Sequence, residues 1–224
     1  MQQPNNSISK GGPLGVLLSL RRHIMKIPKT LLYHAFVYRF AHLSLPGLNL
    51  GSGNAIIENF CNIDASMFAK CDVIARVDKL KLSDNSVEVI YNSHVFEHFP
   101  REQAKEVLKE WYRVLKQAGT LYLCVPDIET LFRLYLGNLP RYESPEGRDI
   151  ADTACTIAYG GQANKYDYHY YGYSFTTLAA LLESAGFTNV ERIDITALGL
   201  CGKVSAAQAS INGVPISLNV KARK

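Results

Sequence analysis

The stretch LNLGSGNAIIENFCNID, residues 48–64, decides how the fold is interpreted. It predicts a buried strand, a turn at Gly51 and Gly53, and a second strand that ends at Asp64. Sites for nucleotide-containing ligands often begin in this way, because glycine lets a ligand approach the backbone. The usual crossover helix, however, has no room between these strands. The stretch is either a cofactor-binding strand–loop–strand or a tight turn between two core strands.

The composition indicates one globular domain with an extension. The chain has 224 residues, of which 47% are hydrophobic and 20% are charged, values ordinary for a compact protein. The net charge is +4, and the basic residues are dispersed, so no nucleic-acid partner is expected. The five cysteines are scattered and form no CxxC pair. We therefore predict no metal site and expect reduced thiols in a cytoplasmic protein.

Residues 1–45 are predicted to form an N-terminal extension. The first dozen are polar and predicted to be disordered. From Leu14 to about Ser44 the pattern is loosely helical and basic, which favours a segment that packs on the domain or covers the mouth of an active site. The alternative for residues 14–29 is weak contact with an acidic membrane surface. No apolar run approaches the roughly 20 residues that a membrane span needs.

Residues 46–224 alternate strand and helix patterns, which predicts an α/β, Rossmann-like fold with a mostly parallel sheet. The clearest helix is 101–116, where apolar residues recur at three- and four-residue steps. The helix between the first two strands is predicted to be shortened or missing. Residues 137–173 form an irregular insert that is functional or partly helical. The alternating ISLNVKA, residues 216–222, predicts an antiparallel C-terminal strand at the sheet edge.

Polar residues follow four of the predicted strands, at the edge where ligands bind in open parallel sheets. They are the glycine turn, Asp64, Asp78 and the run NSHVFEH at residues 92–98. The third glycine of a GxGxxG fingerprint is replaced by Ile56, and that glycine serves helix packing under a pyrophosphate. The pattern therefore favours a cofactor without a pyrophosphate over NAD or FAD.

These residues resemble the class I S-adenosylmethionine-dependent methyltransferases, in particular the type 11-like group. The matching stretches are LNLGSG, NID, the block from KLKLSD to LYLCVPD at residues 79–127, and, more weakly, SFTTLAALLESAGFTNVERI at residues 174–193. The resemblance implies a methyltransferase that uses S-adenosyl-L-methionine and methylates a small molecule or a saccharide. The alternatives are a non-catalytic binding or scaffold protein of the same fold and a nicotinamide oxidoreductase, which Ile56 disfavours.

The resemblance also implies which residues hold the cofactor. Leu50, Gly51, Ser52 and Gly53 would hold its methionine part, Asp64 the ribose hydroxyls, and Asp78, Lys79 and Leu80 would lie beside the adenine. Asn92, Ser93 and His94 would line the floor near the sulfonium, with Glu97 and His98 at the start of the next helix. Asp64 follows the glycines sooner than the roughly 20 residues usual in dinucleotide folds, so one wall of the pocket is predicted to be thin.

Methylation of an oxygen benefits from a base, and His94 and His169 are the catalytic candidates by residue type. For both, a purely structural imidazole is the alternative, and His98 is expected to be structural. His169 lies in KYDYHYYGYS, residues 165–174, within the insert. The tyrosines around it could form an aromatic wall for an acceptor or part of a homodimer interface.

Overall fold

The computed structural model describes residues 45–164, 166–198 and 206–224. Nearly all of the predicted N-terminal extension, residues 1–44, and the predicted membrane contact at residues 14–29 therefore lie outside the described residues. Within the described ranges, no helix is long and apolar enough to cross a membrane.

The described residues form nine strands. They are β1 (Leu45–Leu50), β2 (Cys61–Asp64), β3 (Val73–Ile74), β4 (Val87–Ser93), β5 (Leu115–Pro126), β6 (Thr188–Arg192), β7 (Ser210–Ile211), β8 (Val214–Pro215) and β9 (Ser217–Arg223). Seven of them form one sheet in the order β3-β2-β1-β4-β5-β9-β6, and β7 pairs with β8 in a small hairpin. Neighbours among β1 to β5 are parallel, whereas β9 is antiparallel to β5 and β6. The predicted Rossmann-like, mostly parallel sheet with an antiparallel C-terminal strand is confirmed.

The predicted edge position of the C-terminal strand was wrong. β9 lies between β5 and β6, and it pairs with β5 from Thr120↔Arg223 to Pro126↔Ser217. Alternate side chains of β9, such as Leu218 and Val220, are fully buried. The alternating pattern reports which face of a strand is buried. It carries no information about which strands are hydrogen-bonded on either side, so it could not distinguish an edge from an interior position.

In the part of the chain that the structure describes, four α-helices lie against the sheet or in the insert. They are α1 (Arg101–Val114), α2 (Ile128–Asn138), α3 (Pro145–Tyr159) and α4 (Phe175–Ser184), with short 3₁₀ helices at Phe96–His98, Leu139–Arg141, Ile195–Leu198 and Ala206–Gln208. The insert at residues 137–173 is partly helical, because it contains α3. The Ser144 side chain accepts a hydrogen bond from the N–H of Gly147 at the start of α3, and Pro145 occupies its first turn.

No helix connects β1 and β2, as the short spacing predicted. Residues 51–60 contain only turns and irregular backbone, and the buried side chain of Asn62 holds them. Its Oδ1 accepts from Asn49 Nδ2 and from the N–H of Ile57, each at 2.9 Å. Its Nδ2 donates to Asp72 Oδ2 at 2.7 Å and to the carbonyl of Ile57 at 3.2 Å. A buried polar network thus replaces the crossover helix.

Helix α1 packs its apolar face onto the sheet. Its buried side chains are Ala104, Val107, Leu108, Trp111 and Val114. Trp111 is fully buried, its ring centroid lies 5.6 Å from that of Phe96, and its indole N–H donates to the carbonyl of Val77 at 2.8 Å. The indole therefore joins α1 to the segment that follows β3.

We expect Trp111→Phe to lower the free energy of unfolding by about 1–3 kcal/mol, because the buried carbonyl of Val77 loses its donor and the smaller ring leaves a void. Urea denaturation measures this change. The control Tyr112→Phe alters the adjacent, partly exposed ring and should change the same quantity by less than about 0.5 kcal/mol. Equal effects for the two variants would contradict the role assigned to the indole.

Candidate active site

The glycine turn lies at the carboxyl end of β1. Gly51 and Gly53 have left-handed backbone, with φ of +69° and +50°. A Cβ on Gly51 would collide with the side chain of Val95, whereas a Cβ on Gly53 would meet no atom within 4 Å. Gly51 is thus required by close packing under the turn. Gly53 borders open space into which a ligand can fit.

Asp64 closes this turn from the end of β2. Its Oδ2 accepts the N–H of Gly53 at 2.7 Å, and its Oδ1 accepts the N–H of Ser66 at 2.7 Å. The half-buried carboxylate is therefore directed across the glycine turn. Each carboxylate oxygen has room for a further hydrogen bond, so Asp64 can hold the turn and still accept hydroxyl groups from a ligand.

Two buried polar atoms near the turn have no hydrogen-bond partner among the described residues. Asn92, fully buried on β4, donates through Nδ2 to the carbonyl of Leu50 at 2.9 Å, and its Oδ1 is unpartnered. The buried Oγ of Ser52 is likewise unpartnered. Buried polar groups nearly always find partners. These atoms, with the open space at Gly53, fit a polar ligand at the ends of β1 and β4; Ser93, also predicted for this site, is the last residue of β4.

The three residues predicted beside the adenine have different environments. The carboxylate of Asp78 is hydrogen-bonded to the guanidinium of Arg76 through Nε at 2.9 Å, and this pairing lowers the pKa of Asp78. The side chain of Lys79 is exposed. That of Leu80 lies in the main hydrophobic core, and its N–H donates to Glu110 Oε1 at 2.7 Å. The role of these residues in adenine binding stays a prediction.

His94 follows β4 directly and is held on both sides of its ring. Its backbone is left-handed, with φ of +53°, and its N–H donates to the carbonyl of Cys124 at 2.8 Å. Nε2 lies 2.8 Å from Ser217 Oγ, and Nδ1 lies 3.3 Å from Glu97 Oε1. Uncommon backbone conformations of this kind occur at functional sites. Because both ring nitrogens face partners, His94 is suited to positioning Glu97.

Glu97 is the centre of a group that we call the Glu97 cluster, formed with His94, His98 and His169. Glu97 is only 1% exposed, and neither carboxylate oxygen has a hydrogen-bond partner among the described residues. His169 Nε2 lies 3.8 Å from Oε1. The rings of His98 and His169 meet edge to face, with centroids 4.9 Å apart. The fold thus brings His169 together with His94, the two histidines that the sequence singled out.

Backbone groups of the insert form hydrogen bonds with Glu97 and His98. The N–H of Tyr170 donates to the carbonyl of Glu97 at 2.9 Å, and His98 Nδ1 lies 3.0 Å from the carbonyl of Tyr168. Burial lowers the pKa of His169, although the nearby carboxylate of Glu97 opposes this shift. The imidazole of His169 is therefore favoured in its neutral form, which can accept a proton or donate a lone pair.

Residues 55–123 match the family model described as "Methyltransferase domain". This match shows a methyltransferase domain, and the seven-stranded sheet with its antiparallel strand is the fold expected from the resemblance to the class I S-adenosylmethionine-dependent methyltransferases. The match implies S-adenosyl-L-methionine as the cofactor. The open space at Gly53, the Asp64 carboxylate and the unpartnered atoms of Ser52 and Asn92 fit such a ligand.

Several solved structures are similar in fold. An S-adenosylmethionine-dependent methyltransferase from Archaeoglobus fulgidus is 16% identical. The match covers 91% of this chain and 94% of that protein, with a TM-score of 0.49. One from Mesorhizobium loti is 15% identical, with coverages of 89% and 99% and a TM-score of 0.47. One from Methanosarcina mazei is 14% identical, with coverages of 84% and 96% and a TM-score of 0.49. No curated protein matches this chain.

We expect Gly53→Ala to weaken the binding of S-adenosylhomocysteine at least about 10-fold, because the new methyl group would enter the open space beside Asp64. The strain of a left-handed alanine should also lower the free energy of unfolding by about 1–2 kcal/mol. Calorimetric titration measures the affinity and urea denaturation the stability.

Gly213→Ala is the matched control for this backbone strain. Gly213 has φ of +80°, and a Cβ there would also meet nothing within 4 Å, but it lies in the turn between β7 and β8. It should cost similar stability and leave the affinity unchanged. If both variants bind S-adenosylhomocysteine as tightly as the original chain, Gly53 does not border the cofactor.

Proposed function

We propose that this methyltransferase acts on a hydroxyl group of a small molecule or a saccharide. The observation that carries the proposal is the Glu97 cluster, a buried carboxylate with three histidines that lies after β4, next to the ligand-binding end of the sheet. When bound, S-adenosyl-L-methionine supplies a methyl group on a positively charged sulfur. What remains for the chain is to orient the acceptor oxygen and to receive its proton.

Within the cluster, we assign the receipt of this proton to His169. Its side chain is 12% exposed, so an acceptor can reach it. The carboxylate of Glu97 would stabilise the imidazolium that forms, because opposite charges attract strongly in a buried site. His94, with both ring nitrogens engaged, would hold the carboxylate in place.

The surface next to the cluster supports a polar ring as the acceptor. Exposed tyrosines lie on the segment that covers the 3₁₀ helix Phe96–His98; they are Tyr159, Tyr166, Tyr168 and Tyr170, and each is at least 43% exposed. Tyrosine combines a flat apolar face with a hydroxyl tip. Such side chains suit an acceptor with apolar ring faces and polar edges, which a saccharide and many small hydroxylated rings share.

The test uses the full chain with methyl-labelled S-adenosyl-L-methionine and a panel of sugars, sugar phosphates and phenols, each paired with an amine analogue. We expect label in an ether product, and a loss of turnover of at least about 100-fold in His169→Gln, with the affinity for S-adenosylhomocysteine unchanged. Glu106→Gln is the control, because Glu106 lies on the solvent side of α1, paired with Lys109. Label in the amine analogues alone would refute hydroxyl methylation.

The same measurements separate this proposal from a non-catalytic binding protein. A scaffold would bind S-adenosylhomocysteine and transfer no label to any compound of the panel or of a cell extract. The turn that replaces the first crossover helix is the feature that favours this second candidate, because it thins one wall of the cofactor pocket.

A further inference from the structure

Glu97, His98 and His169 each offer one ligand atom, and these three atoms all lie within 4.8 Å of one another. Glu97 and His98 belong to the 3₁₀ helix at Phe96–His98, whereas His169 lies in the insert. Two imidazole nitrogens and one carboxylate oxygen are a ligand set found in catalytic sites for divalent transition metals. The sequence has no CxxC pair, which is why no metal site was predicted from it.

The carboxylate of Glu97 lacks a fixed positive partner. It is 1% exposed, its oxygens make no hydrogen bond among the described residues, and the ring nitrogens of His94 and His169 lie 3.3 and 3.8 Å from Oε1. Burying an unpaired carboxylate is costly, and buried charges in proteins are paired or coordinate metals. The site therefore lacks a positive charge beside the carboxylate, and a bound cation would supply one.

The two histidines are oriented as metal ligands are. His98 Nδ1 lies 3.0 Å from the carbonyl of Tyr168, so a proton on Nδ1 leaves the lone pair of Nε2 free to bind. The ring of His169 directs Nε2 towards Glu97 and also interacts with the backbone of Ile157. Metal-binding histidines usually donate their second ring N–H to a carbonyl or carboxylate, which fixes the tautomer.

One backbone hydrogen bond joins the two ligand-bearing segments, and a second fixes His169 within the insert. The N–H of Tyr170 donates to the carbonyl of Glu97 at 2.9 Å, and the N–H of His169 donates to the carbonyl of Tyr159 at 3.0 Å. With metal–ligand bonds of about 2.0–2.2 Å, ligand atoms in a tetrahedral site lie roughly 3.4 Å apart. Binding of a cation would therefore draw the side chains of the cluster together, while the backbone hydrogen bonds keep the segments in place.

We propose that Glu97, His98 and His169 bind one divalent cation of the Zn²⁺ class beside the cofactor site. His98 and His169 are partly exposed, so a fourth position is open to the acceptor. A cation there would draw electron density from the acceptor hydroxyl and make its proton easier to lose. This effect on catalysis rests on the proposed function, whereas the binding of the cation does not. In the metal-loaded protein, the lone pair of His169 would serve the cation, and the proton would pass to solvent.

The test is a titration of the full chain, treated with a chelator and dialysed, with Zn²⁺ alone and separately with Co²⁺. We expect one equivalent with a dissociation constant below about 10 µM, a visible Co²⁺ spectrum of low coordination number, and a raised melting temperature. Glu97→Gln and His98→Ala should each weaken binding at least 10-fold. Cys155→Ser, which removes an exposed thiol, should leave binding unchanged.

Binding of S-adenosylhomocysteine is measured on every variant and shows that the fold is intact. Absence of stoichiometric binding by the original chain would overturn the metal site, as would binding that survives both Glu97→Gln and His98→Ala. If the cation binds as expected and no hydroxyl is methylated, the metal site stands and the proposed function fails. If no cation binds and hydroxyl methylation is unaffected by chelation, the proposed function stands and the metal site fails.

Discussion

Asp64→Ala is expected to weaken the binding of S-adenosylhomocysteine about 100-fold. The carboxylate is the group that would accept the ribose hydroxyls, and each hydrogen bond to a charged acceptor contributes about 1.5–3 kcal/mol. The substitution also removes the acceptor of the Gly53 and Ser66 N–H groups, at 2.7 Å each. Calorimetric titration at fixed ionic strength measures the change.

Asp64→Asn separates the two roles of this side chain. The amide keeps one oxygen that can accept the N–H of Gly53, but it loses the charge and one acceptor, so we expect a loss of about 10-fold. Asp84→Ala removes a surface carboxylate that is paired with Arg113 and should leave the affinity unaltered. An affinity of Asp64→Ala within twofold of the original would show that the acid at the end of β2 does not contact the cofactor.

The second large effect is expected at Asn62, and it concerns stability. We expect Asn62→Ala to lower the free energy of unfolding by about 3–5 kcal/mol. It leaves the N–H of Ile57 without its acceptor in a fully buried site, and it removes one of the two acceptors of Asn49 Nδ2, which keeps only the carbonyl of Ala55. The turn that holds Gly51 and Gly53 would loosen with it. Urea denaturation followed by far-ultraviolet circular dichroism measures the loss.

Asn54→Ala is the matched control for this variant. Asn54 lies in the same turn region and is exposed, and its Oδ1 accepts a hydrogen bond from the N–H of Lys70 at 3.0 Å. Exposed positions of this kind usually change stability by less than about 1 kcal/mol. If Asn62→Ala proves no more costly than Asn54→Ala, the buried network does not replace the missing helix energetically.

Most of the fold could be predicted from local patterns. The apolar spacing of α1 and the alternation of β9 were both visible, because packing against one face imposes the period of the element. Helix α3 was not predicted as a defined element. Its buried residues are mostly small, namely Gly147, Ala151 and Ala154 beside Ile150, so its apolar pattern is weak. Its capping residue and first-turn proline, Ser144 and Pro145, were the available signals.

The candidate site could be predicted only in part. Glycines and acids at strand ends reveal the cofactor side, because the topology of a parallel sheet places those ends on one edge. The burial of Glu97 depends on the insert, which covers it from a position about 70 residues later in the chain. The sequence shows His94, Glu97 and His98 in one short run, but it cannot show that His169 completes the group.

The position of β9 has a consequence during synthesis. Among the described strands, β6 is joined to the rest of the sheet only through β9, although β9 is made after it. Until residues 217–223 have left the ribosome, the long strand β5 has one edge without a partner, and exposed strand edges promote aggregation. A nascent chain stopped before this point should therefore depend on a chaperone.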